Sequence, residues 1–308
     1  MSGVVLANAS LDIAFHDTVF LFINVMLFSI TLAPANNDNG LYSFKSNVLD
    51  NSLKNKDEQI KMFWVGLMDG DGSIQVNHWR KSSLQYRLVI KLSNLESNHR
   101  MLVEIAKVVG GSVRITGKDQ DVIWVVNNRE TIKEILEIFD VYPLLTSRKI
   151  CQLRFLKECL RRGSVDWYLL NRNDKYNDQP SIINSNMFGT SNSQDAYNPQ
   201  DATQEKNIFI LPEYFKGWLS GFVEAEGCFS IRKNNNHSFS IGQADDIYLI
   251  KAIKKFLGAT NTVRNPSANF YFLEIYKKET LKNIIDHFEH YPLLGEKAES
   301  FHKWKQKF

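Results

Sequence analysis

The sequence predicts an α+β protein: two pseudo-symmetric αββαββα repeats that pack through one helix each, every repeat carrying an antiparallel sheet. Three observations predict it. Two distant segments, Trp64-Val65-Gly66-Leu67-Met68-Asp69-Gly70-Asp71-Gly72 and Leu219-Ser220-Gly221-Phe222-Val223-Glu224-Ala225-Glu226-Gly227, are each an apolar helical run ending in acid-small-acid-Gly. After each, the apolar period changes from helical to two, as a helix running into a hairpin requires. Later glycine breaks and Tyr-Pro-Leu-Leu segments recur at matched spacing, with 32 residues from Gly110 to Tyr142 and 33 from Gly258 to Tyr291. From Asp71 to Gly110 is 39 residues and from Glu226 to Gly258 is 32, so the first hairpin is about seven residues longer. A period of this length means a duplicated domain, not a solenoid.

At 308 residues and 44% apolar content the chain can bury a real core. Its formal net charge of +3 is unevenly placed. Residues 1–58 hold three Lys/Arg against six Asp/Glu and residues 171–207 three against five, which leaves 31 basic against 23 acidic residues in the remaining body. A basic body suits a polyanionic partner, although solubility alone explains it equally well. Three cysteines form no C-x-x-C pair and leave one unpaired, which argues against a disulfide framework. The seven histidines lack zinc-ligand spacing, and no Gly-rich phosphate loop is present.

Residues 1–56 form a tail and linker of different character. Val19 to Ala33 is almost wholly apolar, but these 15 residues fall short of the about 20 that span a bilayer as a helix. No positively charged stretch precedes it as a secretion signal requires. Gly3-Val-Val-Leu-Ala-Asn-Ala-Ser-Leu-Asp-Ile-Ala-Phe-His-Asp17 resembles a stretch of cytochrome c oxidase subunit I, as exon sequence read through into an intron frame would. Asn36 to Asn55 reads as disordered linker.

The first repeat is expected over residues 57–170. Asp57 is the expected N-cap of a helix whose apolar face is Ile60, Phe63, Trp64, Leu67 and Met68. Ile74 and Val76 then alternate with Ser73, Gln75 and Asn77, and Tyr86, Leu88, Ile90 and Leu92 alternate with Gln85, Arg87 and Lys91, which makes a hairpin with one apolar and one polar face. Met101 to Val109 is a helix, Ser112 to Ile115 and Val122 to Val126 a second hairpin, and Thr131 to Phe139 another helix. A basic helix follows Tyr142-Pro143-Leu144-Leu145. Residues 171–207, rich in Asn, Gln, Ser and Asp, are the expected flexible linker. The second repeat, residues 208–308, follows the same order: a helix over Phe215 to Ala225, strands around Phe229 and Phe239, and a helix ended by Gly258. Two more strands, a helix from Thr280 and Tyr291-Pro292-Leu293-Leu294 complete it.

Gly66 and Gly70 lie four residues apart, as do Gly221 and Ala225, so each pair falls on one helix face and admits a close backbone neighbour. Asp71 and Glu226 arrive as each helix ends, with Gly72 and Gly227 suited to a left-handed C-cap. Helices packed on these faces would bring the two carboxylates together where a divalent cation could hold them. A lone acid at a helix end would be a solvated residue. A pair at equivalent positions of a duplication argues for more.

These motifs, each heading an αββαββα-like repeat over about residues 57–308, resemble those of the single-chain LAGLIDADG homing endonucleases. The resemblance implies motif helices at the interface of two halves, each offering an antiparallel sheet to double-stranded DNA. It implies that Asp71 and Glu226, with the carbonyl oxygens of Gly70 and Ala225, hold Mg2+, with Mn2+ or Ca2+ able to replace it for binding; hard oxygen donors fit such cations. Asp69 and Glu224 are expected to support the helix ends. Five residues past each proline stand Arg148 and Lys297, the basic residues implied near the scissile phosphates. Lysine is the usual occupant, so Arg148 is a departure and neighbouring Lys149 an alternative. DNA reading falls to Ser73, Gln75, Asn77, Gln85, Arg87 and Lys91 in one half and to Ser230, Arg232, Ser238 and Ser240 in the other. Gln243 is a weaker addition, because its counterpart is the apolar Leu92. The implied protein is a monomeric, intron-encoded nuclease of the mitochondrial matrix with a long, partly palindromic target. The alternative is a maturase that binds its own intron RNA.

Overall fold

The computed structural model describes residues 40–188, 209–232 and 236–308. The cytochrome-oxidase-like stretch and the apolar run lie outside them. The chain divides into two compact units, Met1–Asn51 and Ser52–Phe308. Of the first, only helical backbone from Gly40 onward is described.

The motif helix α1 spans Gly40–Gly70. It therefore begins well before the expected cap at Asp57, and the segment read as linker up to Asn55 is helical from Gly40. No Gly or Pro interrupts residues 41–65, so the polar composition that suggested a linker is compatible with a helix. After α1 come β1 (Gly72–Trp79), β2 (Ser83–Ser93), α2 (Glu96–Val109), β3 (Ser112–Thr116), β4 (Asp121–Val126) and α3 (Arg129–Val141). Asn128 caps α3 by accepting from the backbone N–H groups of Glu130 and Thr131. Past the Tyr-Pro break runs α4 (Ser147–Arg162), then α5 (Val165–Asn171) and α6 (Gln179–Phe188). The second half repeats the order with α7 (Phe215–Glu226), β5 (Gly227–Ile231), β6 (His237–Ala244), α8 (Ile247–Phe256), β7 (Arg264–Ser267), β8 (Phe270–Ile275), α9 (Lys278–His290) and α10 (Glu296–Gln306).

Each half holds one antiparallel four-stranded sheet, ordered β1-β2-β4-β3 and β5-β6-β8-β7. Gly72 pairs with Ile90 and Gly227 with Ile241, so the two hairpins start at equivalent positions. The apolar faces of both sheets and their covering helices form one continuous core. Trp64 stacks on Phe139 at 4.9 Å and meets Trp124 edge-on at 5.6 Å in the first half. Phe229 is surrounded by Phe239, Phe288, Phe301 and Trp304 in the second.

The segment expected to be a flexible linker is folded as far as Phe188. Its helix α6 packs on α4 and α8, with Ile182 buried. Polar residues elsewhere in that segment masked this short apolar anchor.

Candidate metal and nucleic-acid site

The two motif helices meet backbone to backbone. A Cβ added at Gly66 would lie 1.9 Å from the carbonyl oxygen of Trp218, and one at Gly221 would lie 1.8 Å from that of Phe63. Gly70 abuts Ala225, whose Cβ would be 2.3 Å from an added one, and lies beside the Glu226 side chain. The close seam expected from the small residues is thus present.

Gly72 and Gly227 are not left-handed caps. Gly227 is extended, with φ −80° and ψ 153°, and Gly72 is the first residue of β1. Space explains both. A Cβ at Gly72 would sit 2.4 Å from the Met68 carbonyl oxygen, and one at Gly227 2.5 Å from Val223 Cγ1. The helix turns at once into the strand, and no side chain fits under the bend.

Asp71 and Glu226 stand at the ends of these helices, close enough that the Asp71 charge raises the Glu226 pKa. Burial raises both carboxyls most, and Lys149 and Lys297 oppose it by favouring the charged forms. Lys149 is itself pushed down by burial, against the pull of Asp69, Asp71 and Glu226. Its Nζ donates to the Gly72 carbonyl oxygen. Two acids and two lysines therefore share one field, flanked by carbonyl groups in last helical turns, which lack helical partners. Among the described residues no group of three His, Cys, Asp or Glu could hold a metal. Two carboxylates raised chiefly by burial, with carbonyls beside them, fit a cation that keeps open positions for water and phosphate.

Arg148 is not in this field. Its guanidinium lies over the Tyr176 ring at 4.9 Å. Leu145-Thr146-Ser147-Arg148-Lys149 is one residue longer than Leu294-Gly295-Glu296-Lys297, so an equal count from proline reaches Arg148 in the first half and Lys297 in the second, while the lysine beside the first-half acid is Lys149, the alternative.

The inner acids hold the helices that carry these lysines. Asp69 accepts from Leu145 N at 2.7 Å, Thr146 N at 3.1 Å, Thr146 Oγ1 at 2.6 Å and, across the seam, Trp218 Nε1 at 2.8 Å. Glu224 accepts from Leu294 N at 3.2 Å, Gly295 N at 3.1 Å and Lys297 N at 2.8 Å. Asp69 thus holds the turn and cap residue just ahead of α4, and Glu224 holds those ahead of α10 together with the second N–H of that helix. A second acceptor comes from the opposite half: Asp246 Oδ2 takes Ser147 N at 3.0 Å, and Asn98 Oδ1 takes Glu296 N at 2.9 Å. Sequence reasoning missed Asp246 and Asn98, because nothing local marks a side chain that caps a helix of the other repeat.

The polar sheet face of the first half carries Ser73, Gln75, Asn77, Gln85, Arg87 and Lys91 in register: Gln75 opposes Arg87 and Asn77 opposes Gln85. Ser112, Arg114 and Thr116 of β3 continue it, since Ser112 opposes Val125 and Val125 opposes Val89. Their alternation is readable in the sequence, but the face they share is set by the pairing of β3 with β4. Lys91 pairs with Asp121 at 2.8 Å. In the second half Ser230 opposes Ser238, and Ser240 opposes Glu274. Arg232 and Arg264 both pair with Glu274. Ser238 is only 3% exposed, so it offers little to a ligand. Gln243 falls on the opposite face from Ser240 by strand alternation, the face of Ile241. It stands two residues past the partner of Gly227, near the end of α7.

A family model described as LAGLIDADG endonuclease matches residues 64–159 and 219–308. The chain belongs to the LAGLIDADG endonuclease family. The two matched stretches begin within the two motif helices. The chain is 50% identical over 99% of its length to a probable intron-encoded endonuclease aI3 of Debaryomyces hansenii, but spans only 48% of that relative. It is 45% identical over 82% of its length to a probable intron-encoded endonuclease aI3 of Dictyostelium citrinum, covering 96% of it. Among solved structures, the LAGLIDADG meganuclease I-CpaMI bound to uncleaved DNA matches with a TM-score of 0.58 at 17% identity, over 80% of this chain and 90% of that one. A match to I-SmaMI bound to its uncleaved DNA target in the presence of calcium ions has a TM-score of 0.56 at 18% identity, over 80% and 89%. These two likenesses concern the fold of a two-sheet LAGLIDADG protein.

Proposed function

We propose that this chain is a site-specific double-strand DNA endonuclease that promotes movement of its intron. One observation carries the reading: Asp71 and Glu226, far apart in sequence, stand together at the end of the motif-helix seam with Lys149 and Lys297 beside them. The names of the relatives and the DNA in the neighbouring structures support it. Mg2+ held by Asp71, Glu226 and the carbonyls of Gly70 and Ala225 would supply a more acidic attacking water and charge neutralisation at the leaving oxygen. Lys149 and Lys297 add positive charge where the phosphorane charge develops, one per half. The polar faces, with Arg87 and Arg114 in the first half, read base edges in the major groove. Because the two faces differ, the target is partly palindromic and the active form is the monomer. The stretch resembling cytochrome c oxidase subunit I supports a mitochondrial matrix location.

The test incubates the full chain with a plasmid bearing the intronless host-gene junction, with Mg2+ or with EDTA. Linearisation with Mg2+ only is expected. Asp71→Asn and Glu226→Gln are each expected to abolish double-strand cutting while retaining target binding in a gel-shift assay. Full cutting by either variant refutes the ligand assignment. A folded protein that never cuts but restores splicing of its intron would establish the maturase alternative instead.

A further inference from the structure

The segment after α4 is absent from the motif logic and makes a surface of its own. Residues 164–188 pack back on α4 and α8, with Tyr168 meeting His78 of the edge strand β1 edge-on at 5.9 Å, and are pinned by buried Tyr168 and Ile182, by Phe155 stacking on Trp167 at 5.7 Å, and by Gln179 Nε2 donating to Ser147 Oγ and Asp245 Oδ2, both at 3.1 Å. Between this connector and β1 lies a groove of about 420 Å³. Ser73, Gln75 and Asn77 line one side; Arg172, Asn173 and Lys175 line the other, and no carboxylate contributes to the lining. The groove is therefore continuous with the face proposed to read bases.

Next to it, Tyr176 organises a pair of cations. Arg148 Cζ and Lys175 Nζ each lie 4.9 Å from its ring, and its hydroxyl accepts from Gln152 Nε2 at 2.9 Å. Arg148, Arg172, Asn173 and Lys175 are exposed. Among the described residues Arg148, Arg172 and Lys175 make no ion pair, whereas ten other pairs are formed elsewhere. Asp174 and Asp178 belong to the same segment but stay out of the groove. Exposed cations held by aromatic stacking and not neutralised by carboxylates are suited to phosphate oxygens. We infer that the connector is a third DNA-contacting element, in which Arg148, Arg172 and Lys175 clamp the phosphate backbone of the target duplex alongside the first half-site. The inference rests on the DNA-endonuclease reading. It also gives Arg148 a place outside the catalytic field.

The clamp acts on phosphates, so its loss weakens binding to every sequence alike. Binding of the full chain to labelled target duplex, and to duplexes with single base substitutions under the first sheet, would be followed by anisotropy over a salt series in Ca2+. In Arg148→Gln/Arg172→Gln/Lys175→Gln the slope of log K against log salt is expected to fall by about 0.9 for each phosphate no longer neutralised. Discrimination between duplexes stays as in wild type, and Arg87→Gln serves as the comparison that loses discrimination. The double variant Arg172→Gln/Lys175→Gln, altered only at exposed positions, carries the test if the triple variant does not fold. A wild-type slope and affinity in the folded variants overturns the clamp. A wild-type chain that binds no duplex overturns the endonuclease reading, and the clamp with it.

Discussion

Lys149 and Arg148 are neighbours in sequence, yet only Lys149 faces the carboxylates, because successive helix residues point about 100° apart. Lys149→Ala is expected to lower cleavage by about 10²-fold or more with little change in target affinity, the magnitude seen when one preorganised charge donor is removed from a site. Arg148→Ala is expected to leave the single-turnover cleavage step near wild type. Equal losses in that step from the two variants would overturn the distinction. Asp246 offers a separate test at this scale. Burial, more than its neighbours Asp69 and Asp245, lifts its carboxyl to about 7, and its Oδ1 has no hydrogen-bond partner. The folded state therefore holds a proton that the unfolded chain has released, so this group costs stability as pH rises from about 4 through 7, by up to about 1.4 kcal/mol per pH unit. Asp246→Asn keeps an acceptor for Ser147 N and carries no charge. Urea unfolding at pH 5 and pH 8 is expected to show a smaller difference between the two pH values in the variant than in wild type; an unchanged difference would exclude Asp246 as the source.

At the scale of elements, the motif helices are fixed by what cannot be added to them. Gly66→Ala or Gly221→Ala would place a methyl carbon within 2 Å of a carbonyl oxygen of the facing helix, and backbone cannot yield as a flexible side chain does. Separation of the helices is expected, with a loss of several kcal/mol or failure to fold, far beyond the usual helix gain of about 1 kcal/mol for Gly to Ala. Thermal unfolding of the two variants against Gly163→Ala, where an added Cβ meets nothing within 4 Å, checks the claim. The control is expected to lose only the smaller cost of a left-handed position, φ 63°. The helices α4 and α10 depend in turn on Asp69 and Glu224. These acids are two residues before the proposed ligands, and they aim the lysines by holding the helix starts.

For the whole molecule, duplication sets up one composite site, and divergence makes its halves unequal. The proposed ligands are Asp in one half and Glu in the other, the lysine stands third in α4 but second in α10, and among the described residues the folded connector follows the first half. The two strands are therefore expected to be cut at different rates, seen as a nicked circular intermediate that accumulates before linear product in a time course. Simultaneous cutting without the nicked form would contradict this asymmetry.

The repeats, the helix-to-hairpin switches and the motif acids were legible because they rest on local geometry: a period of 3.6 or 2 states which residues share a face whatever packs against it. The extra length of the first half was misplaced: Gly72 pairs with Ile90, 18 residues on, and Gly227 with Ile241, 14 residues on, so the first hairpin is longer by four residues and not by seven, the rest falling in and around the helix that follows. Asp71 and Glu226 could be picked out because they close such a pattern twice. The choice of Lys149 over Arg148, the burial of Ser238, the face of Gln243 and the crossed caps from Asp246 and Asn98 could not. Each depends on how one element is rotated and seated against another, which packing of the two repeats decides. The connector shows the same division, since its polar composition reads as linker and only the docking of Tyr168, Tyr176 and Ile182 beside α4 turns it into structure.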